Sequence, residues 1–511
     1  MTTTAHTMLE KLNAMRTHGG PVRTHGLDDE TVLGFAKNDE RLGIAVDDAF
    51  TLFQGLLEEM PELLALPESE MTDAVQQGFI NFYPEDAVSP YVALAGSGPW
   101  IITSRGAVLY ECGGYGMLGL GHAPKQVLEA MNKPYIMANV MTPSFSQKRL
   151  VDALRREIGH RRGACPYERF FCLNSGSEAV TLGARISDIN ARIMTDPGGR
   201  HANHAIRILG MKSAFHGRTD RPARFSDSTR AGYCKYLASF RDMDNLLTVE
   251  PNNIEQLEQV FEYVDNNQLF IEAFFIEPVM GEGNPGQAVT PSFYARAREL
   301  TRAHGALLLV DSIQAGLRTH GVLSMCDYPG FENLDAPDME TYSKALNGGQ
   351  YPLSVLAVNE STAKLYRAGV YGNTMTANPR AMEIALSVLE SITPELRQNI
   401  VDRGRELLEK LTALQAELDE SITRVQGTGL LLSTDLSPAR YSSYGAGSSE
   451  EYMRINGVNV IHGGSNALRF TPSFDITTEE VDLLVEATRN ALVYGPVKDA
   501  ITQSSATSEA A

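Results

Sequence analysis

The stretch GALLLVDSIQAG, residues 305–316, joins a near-continuous apolar run to an acidic residue, Asp311. Such a run is typical of a strand that is covered on both faces of a sheet. Three more runs of this kind occur in the chain: ERFFCLN (168–174), AIRILGM (205–211) and AFFIEPV (273–279). Helical patterns such as SFYARARELTRAHG (292–305) lie between them. The alternation predicts an α/β fold whose large domain is built on a mostly parallel sheet.

The sequence pattern changes on both sides of this alternating region. WIITSRGAVLYE (100–111) predicts a hairpin around Arg105 and Gly106, and the charged helical pattern VDRGRELLEKLTALQAELDE (401–420) introduces a smaller α+β region. The predicted segments are a helical N-terminal extension of unknown role (1–95), the N-terminal part of the small domain (96–140), the large domain (141–390), the C-terminal part of the small domain (391–497) and a disordered tail (498–511).

Composition argues against several functions. The chain has 511 residues, with 44 Lys+Arg against 63 Asp+Glu and a formal net charge of −19, which disfavours a broad nucleic-acid surface. No stretch approaches the roughly 18 apolar residues of a membrane span, so no membrane partner is expected. The five cysteines are scattered and never spaced as CxxC, which indicates neither a disulfide framework nor a zinc site. We expect a cytoplasmic protein without a metal.

Ligands of open α/β sheets bind outside the carboxyl ends of the strands, so polar residues at those ends are candidates for a site. ERFFCLN leads into Ser175, Gly176 and Ser177 at the start of a helical pattern, which suits a phosphate but is also an ordinary helix cap. Asp311 ends its strand, and a buried carboxylate there needs a cation or hydrogen-bond donors. A helix cap or an ion pair with an arginine would meet that need equally well.

Two further strand ends carry chemistry. AIRILGM leads into Phe215, His216 and Arg218, an aromatic ring and a guanidinium that suit a flat ligand bearing a carboxylate, although each could serve packing or the surface instead. TYSKALNGGQYPLS (341–354) contains Lys344. A lone lysine is usually a solvated charge, but a lysine in a desolvated site can form a Schiff base. Together, the four elements match the needs of pyridoxal phosphate.

Eight motifs carry a resemblance to a known family. They are GYGMLGLGH (114–122), NSGSEA (174–179), FHGRT (215–219), EPVMGEG (277–283), DSIQAG (311–316), SKALNGGQYPLS (343–354), GNTMTANP (372–379) and ALRFTPS (467–473). From about Pro99 to Val493 the chain resembles the class III (ω) aminotransferases among the fold-type I pyridoxal-phosphate enzymes. Within that family, DSIQAGLRTHG and KALNGGQYP are most similar to the ornithine-type members.

The resemblance implies a role for each matching position. Lys344 would be the Schiff-base lysine and proton shuttle, and Asp311 would keep the pyridine nitrogen protonated. The cofactor-binding positions implied by the resemblance are Gly176 and Ser177 at the phosphate, Phe215 stacked on the ring with His216 beside it, Gln314 near the 3-hydroxyl, and Thr374 at the phosphate of the neighbouring subunit's cofactor. The active site would therefore be shared across a homodimer or a dimer of dimers.

The substrate residues implied by the resemblance are Tyr115, Arg218, Glu282 and Arg469. Arg218 would take a carboxylate of the amino donor, and Arg469 the α-carboxylate of glutamate or 2-oxoglutarate. Glu282 would neutralise Arg469 when the other substrate is bound. The implied reaction moves the distal amine of a diamino acid or ω-amino acid, such as ornithine, lysine or 4-aminobutyrate, to a 2-oxo acid by ping-pong kinetics.

The chain also departs from the family pattern. Ser312 stands where Glu is usual and Ala315 where Thr is usual, so a second carboxylate and a hydroxyl are missing beside Asp311. Thr376 and Ala377 replace two common glycines. Two alternatives stay open: an aminomutase or racemase on the same scaffold, which needs no 2-oxo acid, and a non-catalytic binding protein that kept the fold.

Overall fold

The computed structural model describes residues 5–137, 140–241 and 244–498. The predicted disordered tail lies outside the described residues except for Lys498. The chain divides into two compact units. The large-sheet unit comprises Lys125–Val401 and Gly427–Leu431, and the two-sheet unit comprises Met1–Pro124, Asp402–Gln426 and Leu432–Ala511.

Within the described residues, the large-sheet unit is built on a seven-stranded sheet. Its strands are β4 (Arg169–Leu173), β5 (Ala205–Met211), β6 (Leu246–Val249), β7 (Leu269–Ile276), β8 (Leu307–Asp311), β9 (Met339–Tyr342) and β10 (Ser354–Val358), in the spatial order β4-β10-β9-β8-β7-β5-β6. The four strands predicted from apolar runs are β4, β5, β7 and β8, so these predictions are confirmed.

Strand direction in this sheet is nearly uniform. β6, β5, β7, β8 and β9 pair in parallel, whereas β10 is antiparallel to both β9 and β4. Because β10 alone is reversed, β4 runs in the same direction as β9. The predicted mostly parallel sheet is therefore confirmed. β4 differs from the expected buried strand in one respect, since it lies at the sheet edge and is only partly buried.

Helices cover the sheet and bury two apolar clusters. Alternate residues of each strand face opposite clusters: Leu309 belongs to the cluster against α8, whereas Leu308 and Val310 belong to the cluster with Phe293 of α12. The helices of this unit are α6 (Lys125–Met131), α7 (Phe145–Glu157), α8 (Gly176–Thr195), α9 (Asp220–Phe225), α10 (Arg230–Tyr236), α11 (Ile254–Asn266), α12 (Pro291–His304), α13 (Glu360–Leu365) and α14 (Pro379–Ser391).

Local sequence explains where these helices begin and end. Thr290 accepts a hydrogen bond from Phe293 N and is followed by Pro291, so α12 starts with a capped first turn. Gly305 ends the same helix at φ +85°, a left-handed conformation that glycine adopts without steric cost. β8 follows two residues later. The stretch that predicts the sheet therefore begins at a helix stop signal.

The two-sheet unit contains most of the remaining elements. Its helices are α1 (Ala5–Arg16), α2 (Asp29–Ala36), α3 (Glu40–Glu59), α4 (Pro61–Ala65), α5 (Glu68–Gln76), α16 (Ser449–Ile455) and α17 (Thr478–Val493). Its strands are β1 (Ala93–Ser97), β2 (Trp100–Thr103), β3 (Val108–Glu111), β11 (Ile422–Thr428), β12 (Leu431–Leu436), β13 (Val458–Asn459), β14 (Ile461–Gly463) and β15 (Ala467–Phe470). The long helix α15 (Pro394–Glu417) begins in the large-sheet unit and ends in this one, and the ends of β11 and β12 that fall within Gly427–Leu431 belong to the large-sheet unit.

The strands of the two-sheet unit form two sheets among the described residues, in the orders β1-β2-β3-β13 and β11-β12-β15-β14. The predicted hairpin is confirmed, because β2 and β3 pair antiparallel on either side of Arg105 and Gly106. Helix α17 starts with a capping box in which Thr477 and Glu480 bond each other's backbone N–H. Within the described residues, no helix is both long and apolar enough to cross a membrane.

Candidate active site

Every strand of the seven-stranded sheet except β10 has its carboxyl end at one edge, and five of these strands lead into candidate site segments. β4, β5, β7, β8 and β9 run in the same direction, so the residues that follow them gather at that edge. Most of the sequence-predicted site residues belong to these segments. Gly176 and Ser177 follow β4, Phe215 to Arg218 follow β5, Glu282 follows β7, Asp311 and Gln314 end or follow β8, and Lys344 follows β9.

Asp311 is the most constrained of these side chains. It is 5% exposed, and its Oδ2 lies 2.8 Å from Nδ1 of buried His216. Its Oδ1 accepts hydrogen bonds from Thr341 Oγ1 at 3.0 Å and from Ile313 N at 3.2 Å. A carboxylate offers about four acceptor positions, so these contacts fix the orientation of Asp311 and leave room for one more donor.

Gly176 and Ser177 begin helix α8. Ser175 caps the helix by accepting from Glu178 N, and Glu178 in turn accepts from Asn174 N and Asn373 Nδ2 at 2.7 and 2.8 Å. The turn is joined to β10 because Ser354 Oγ donates to Ser175 O at 2.6 Å. A 20-residue helix carries a positive partial charge at this end. The first turn of α8 is thus suited to a phosphate group.

The loop after β5 holds an aromatic ring and a cation. The guanidinium carbon of Arg218 lies 5.4 Å from the centre of the Phe215 ring. Its Nη2 is 3.2 Å from Glu282 Oε1, in an ion pair whose arginine side chain is 41% exposed. The arginine is therefore held over the aromatic ring by a contact that solvent can reach.

Glu277 is a residue of this site that the sequence interpretation did not single out. It follows β7, is buried, and accepts hydrogen bonds from Phe215 N at 2.9 Å and Gly281 N at 3.0 Å. Burial raises the pKa of Glu277 to about 7, and the negative charge of Asp311 acts in the same direction. An acid at the end of the apolar run AFFIEPV is the signal that could have identified it, since Asp311 stands in the same pattern.

Lys344 lies in a strained turn. Its φ is +47°, a left-handed conformation that is uncommon for residues other than glycine, and it begins a short 3-10 turn, Lys344–Asn347. On either side of it, Ser343 Oγ and Asn347 Nδ2 both donate to Leu353 O, at 2.7 and 3.1 Å. Gly348 and Gly349 continue at positive φ. The surrounding hydrogen bonds thus hold the backbone of Lys344 in a conformation that is unfavourable for a lysine.

Two glycines let neighbouring segments pack closely at this edge of the sheet. A Cβ on Gly281 would lie 2.3 Å from Gln314 Nε2, and one on Gly217 would lie 2.4 Å from Ser177 Oγ. Buried His216 Nε2 has no hydrogen-bond partner among the described residues. With the oriented Asp311 and the helix terminus of α8, these features fit pyridoxal phosphate, which needs an anion site, a stacking face, a carboxylate and an amine.

The departure at Ser312 has a counterpart on the neighbouring strand. Ser312 Oγ donates to Oε1 of fully buried Glu340 at 2.6 Å. Glu340 also accepts from Ser324 Oγ at 2.6 Å, Tyr167 OH at 2.7 Å and Met325 N at 2.9 Å. The side chain that follows Asp311 is therefore a donor to a carboxylate of β9, instead of being a carboxylate itself. Ala315, which stands where a threonine is usual in the family, is fully buried.

Three predicted site residues do not belong to the segments that follow these five strands. Tyr115 and Arg469 are part of the two-sheet unit, where the guanidinium carbon of Arg469 is 5.5 Å from the Tyr115 ring centre. Arg469 is 1% exposed, and Tyr115 has φ +53°. Thr374 belongs to the large-sheet unit and is exposed. In the parts of the chain that are described, no group of three or more His, Cys, Asp or Glu could hold a metal ion.

Comparisons with known proteins agree with this geometry. The fold is that of a fold-type I pyridoxal-phosphate enzyme. The family model described as aminotransferase class-III matches residues 84–492. The chain therefore belongs to the class-III aminotransferase family, and it is a pyridoxal-phosphate-dependent transaminase.

Solved structures share the fold at low sequence identity. Ornithine aminotransferase from Toxoplasma gondii has a TM-score of 0.71 and 22% identity, covering 86% of this chain and 98% of its own. Acetylornithine aminotransferase from Elizabethkingia anophelis has a TM-score of 0.66 and 21% identity, with coverages of 84% and 99%. A transaminase from the marine bacterium Virgibacillus has a TM-score of 0.67 and 20% identity, with coverages of 83% and 98%.

Proposed function

We propose that this transaminase moves the distal amino group of a diamino acid or ω-amino acid to a 2-oxo acid such as 2-oxoglutarate. The observation that carries the proposal is the Arg218–Glu282 ion pair at the edge of the sheet. A half-exposed arginine on an aromatic ring can exchange its carboxylate partner for a substrate carboxylate at little cost. A donor held by its carboxylate presents the opposite end of the molecule, the distal amine, to the reaction.

Cofactor binding is assigned to the large-sheet unit. Gly176 and Ser177 would hold the phosphate, Phe215 and His216 would flank the ring, and Gln314 would lie near the 3-hydroxyl. Asp311 would accept a hydrogen bond from the ring nitrogen and keep it protonated, because its other acceptor positions are already filled by fixed donors. When bound, pyridoxal phosphate supplies an aldehyde for the substrate amine and a ring that accepts electrons.

Lys344 would hold the cofactor covalently through its amine and, once a substrate amine takes that place, would move the proton of the substrate carbon. The strained backbone at Lys344 supports this role, because strain of this kind is retained where the position of a side chain matters. The contacts of Ser343 and Asn347 to Leu353 hold the turn while the side chain moves.

Arg469 and Tyr115 are assigned to the second substrate. A buried arginine beside a tyrosine ring suits the α-carboxylate of glutamate or 2-oxoglutarate. Glu282 would neutralise Arg469 when the other substrate is bound. Its contact with Arg218 supports a second role for this glutamate. Glu282 would also screen the Arg218 charge whenever no substrate carboxylate is bound.

The assembly completes the proposal. Thr374 is exposed in the single chain, as expected of a residue that reaches the cofactor of a neighbouring subunit in a homodimer or a dimer of dimers. The cysteines form no disulfides among the described residues, which fits a reducing compartment such as the cytoplasm.

The test uses the half-reaction. The cofactor-loaded enzyme is incubated with ornithine, lysine, 4-aminobutyrate or glutamate without an acceptor, and the carbonyl product is measured by mass spectrometry. One equivalent of product per site from an ω-amine, with further turnover only after 2-oxoglutarate is added, is expected. Continued conversion of the donor into an isomeric amine without any acceptor would instead identify an isomerase. Carbonyl product from glutamate but from none of the ω-amines would refute the ω-amine assignment.

A further inference from the structure

A cavity of about 440 Å³ lies within the two-sheet unit and includes none of the residues assigned to the transaminase reaction. One wall is formed by α2 and the turn into α3, and the other by the first turn of α17. Its lining residues are Thr31, Gly34, Phe35, Asn38, Asp39, Arg41, Thr477, Glu479 and Glu480. The α2 side precedes residue 84, where the match to the class-III aminotransferase family begins. The cavity therefore depends on residues that lie outside the family-matching part of the chain.

Glu480 is the polar group that distinguishes this cavity. The residue is 2% exposed and lines the cavity wall. Its Oε2 accepts a hydrogen bond from Thr477 N at 2.7 Å, as part of the capping box of α17. Its Oε1 accepts no hydrogen bond from the described residues. Because the side chain is only 2% exposed, a hydrogen bond that a ligand donates to Oε1 is stronger than it would be in water.

The charges around Glu480 favour a cation. Arg41 provides the positive charge of the lining, but its guanidinium is already paired with Asp39 at 2.8 Å and with Asp475 at 2.5 Å. Asp39 is fixed further by Trp100 Nε1, which donates to it at 2.8 Å. Exposed Glu479 adds one more negative charge at the mouth. The lining and Asp475 together are net negative, which disfavours anions and attracts an ammonium group.

The opposite wall suits an apolar body. Phe35 packs on Trp100 with ring centres 5.0 Å apart and presents its remaining surface to the cavity. Beside it, a Cβ on Gly34 would meet nothing within 4 Å, so the helix surface there is open. A ligand of a few carbon rings or branches fits this volume and can cover the Phe35 ring.

We propose that this cavity binds a small primary ammonium ion carrying a compact apolar group. The ammonium donates a hydrogen bond to Glu480 Oε1, and the apolar group packs on Phe35 and over Gly34. The site goes beyond the transaminase reaction and is independent of which amine the enzyme uses as donor.

Proton linkage provides a second observable. Burial raises the pKa of Glu480 to about 7, and the charges of Asp475 and Asp39 act in the same direction, whereas Arg41 opposes them. A bound ammonium favours the charged carboxylate. Binding at pH 7 is therefore expected to release about half a proton per ligand.

The experiment uses 1-aminoadamantane as the probe and the cofactor-loaded full chain. The amine-bearing carbon of this compound has no hydrogen, so transamination cannot consume it. Isothermal titration calorimetry at pH 7 in two buffers of different ionisation enthalpy measures affinity and proton release. We expect binding of the amine with proton release and at least tenfold weaker binding of 1-adamantanol. Equal affinity for the amine and the alcohol, or no binding, would overturn the proposal.

Two substitutions with controls locate the binding. Glu480→Gln keeps an oxygen for Thr477 N but removes the charge, and it is expected to weaken amine binding at least tenfold and to abolish proton release. Glu486→Gln removes the same charge from an exposed position of α17 and should leave affinity within twofold.

Gly34→Leu fills the cavity and should block binding, whereas Gly55→Leu makes the same change on an open helix surface of α3 and should not. Unchanged binding in both Glu480→Gln and Gly34→Leu would place the amine elsewhere and refute the site.

Discussion

The N-terminal helices and the carboxyl edge of the seven-stranded sheet both depend on buried charged side chains, but they use them differently. Among the N-terminal helices, fully buried Glu68 accepts hydrogen bonds from Arg23 N and Thr24 N, each at 2.7 Å. Arg105 donates to the carbonyl oxygens of His18 and Leu66. These charges bond to the backbone, so they hold chain segments together.

At the sheet edge, Asp311 and Arg218 bond mainly to other side chains. Asp311 meets His216 and Thr341, and Arg218 meets Glu282. The edge also carries Lys344 in a left-handed backbone conformation, and glycines that let the segments bearing these groups pack closely. Burial of a charge therefore does not identify a site. We base the proposed site on convergence at strand ends together with backbone strain at Lys344.

The largest effect is expected for Lys344→Ala. If this lysine holds the cofactor and moves the proton, turnover should fall by about 10²- to 10⁴-fold, the usual contribution of a positioned acid-base group. Steady-state transamination with saturating cofactor measures the change. Lys364→Ala is the control, because Lys364 is an exposed lysine of the same unit that pairs with Glu360. Similar losses of turnover in both variants would show that Lys344 at the sheet edge matters no more than an exposed lysine.

Arg105→Met tests the structural use of charge. It leaves two backbone carbonyls without a donor, so the two-sheet unit should lose about 2–5 kcal/mol of unfolding free energy. Trp100, the single tryptophan of the chain, lies in that unit and reports its unfolding by fluorescence in urea. Arg405→Met, at a side chain that is 64% exposed, should change stability by less than about 0.5 kcal/mol. An unchanged free energy of unfolding in Arg105→Met would show that the buried arginine does not hold these chain segments together.

Arg218→Lys tests substrate recognition at the edge. Lysine keeps the charge but loses the planar fork, so the KM of the amino donor should rise about 10- to 100-fold, with a smaller change in kcat. Arg302→Lys makes the same exchange in the exposed ion pair with Asp335 and should leave KM unchanged. An equal loss of kcat and kcat/KM in Arg218→Lys would instead indicate a role in the chemical step.

The smallest effect concerns the response of the large-sheet unit to acid. His304 Nε2 accepts a hydrogen bond from Ile271 N at 3.1 Å, and burial lowers the pKa of His304 to about 4. The unfolded chain, with a histidine pKa near 6.5, therefore binds more protons between these values. The contribution of neutral His304 to stability is present above about pH 6.5. It is lost as pH falls towards 4, by up to about 1.4 kcal/mol per pH unit.

His304→Gln keeps an acceptor for Ile271 N but does not titrate. Urea midpoints followed by circular dichroism between pH 7 and 4 should therefore decline less steeply than in the parent protein. His6→Gln, at a side chain that is 86% exposed, should leave the slope unaltered. An unchanged slope in His304→Gln would mean that folding does not lower the pKa of this histidine.

Much of the sheet could be predicted from the sequence because apolar runs mark buried strands and their ends. That is why the sequence alone places Asp311 at the end of β8 and Phe215 just after β5. The reversed direction of β10 could not be predicted in this way. Its run, SVLAV, is apolar like its neighbours, and apolar character does not encode direction.

Pairings between distant residues were also beyond the sequence. Ser312 and Glu340 are 28 positions apart, and only the parallel register of β8 and β9 brings them together. The same holds for Glu277, whose partners Phe215 N and Gly281 N lie on two different loops. Motifs indicate which residues reach the sheet edge, whereas long-range register decides which of them touch.

The most direct measurement is the location of reductively trapped cofactor. The loaded enzyme is treated with borohydride, digested, and analysed by mass spectrometry for the modified lysine. We expect the cofactor on the peptide that contains Lys344, and no trapped cofactor in Lys344→Ala. Cofactor on a different lysine, or unchanged trapping in Lys344→Ala, would contradict the assignment of the sheet edge as the active site.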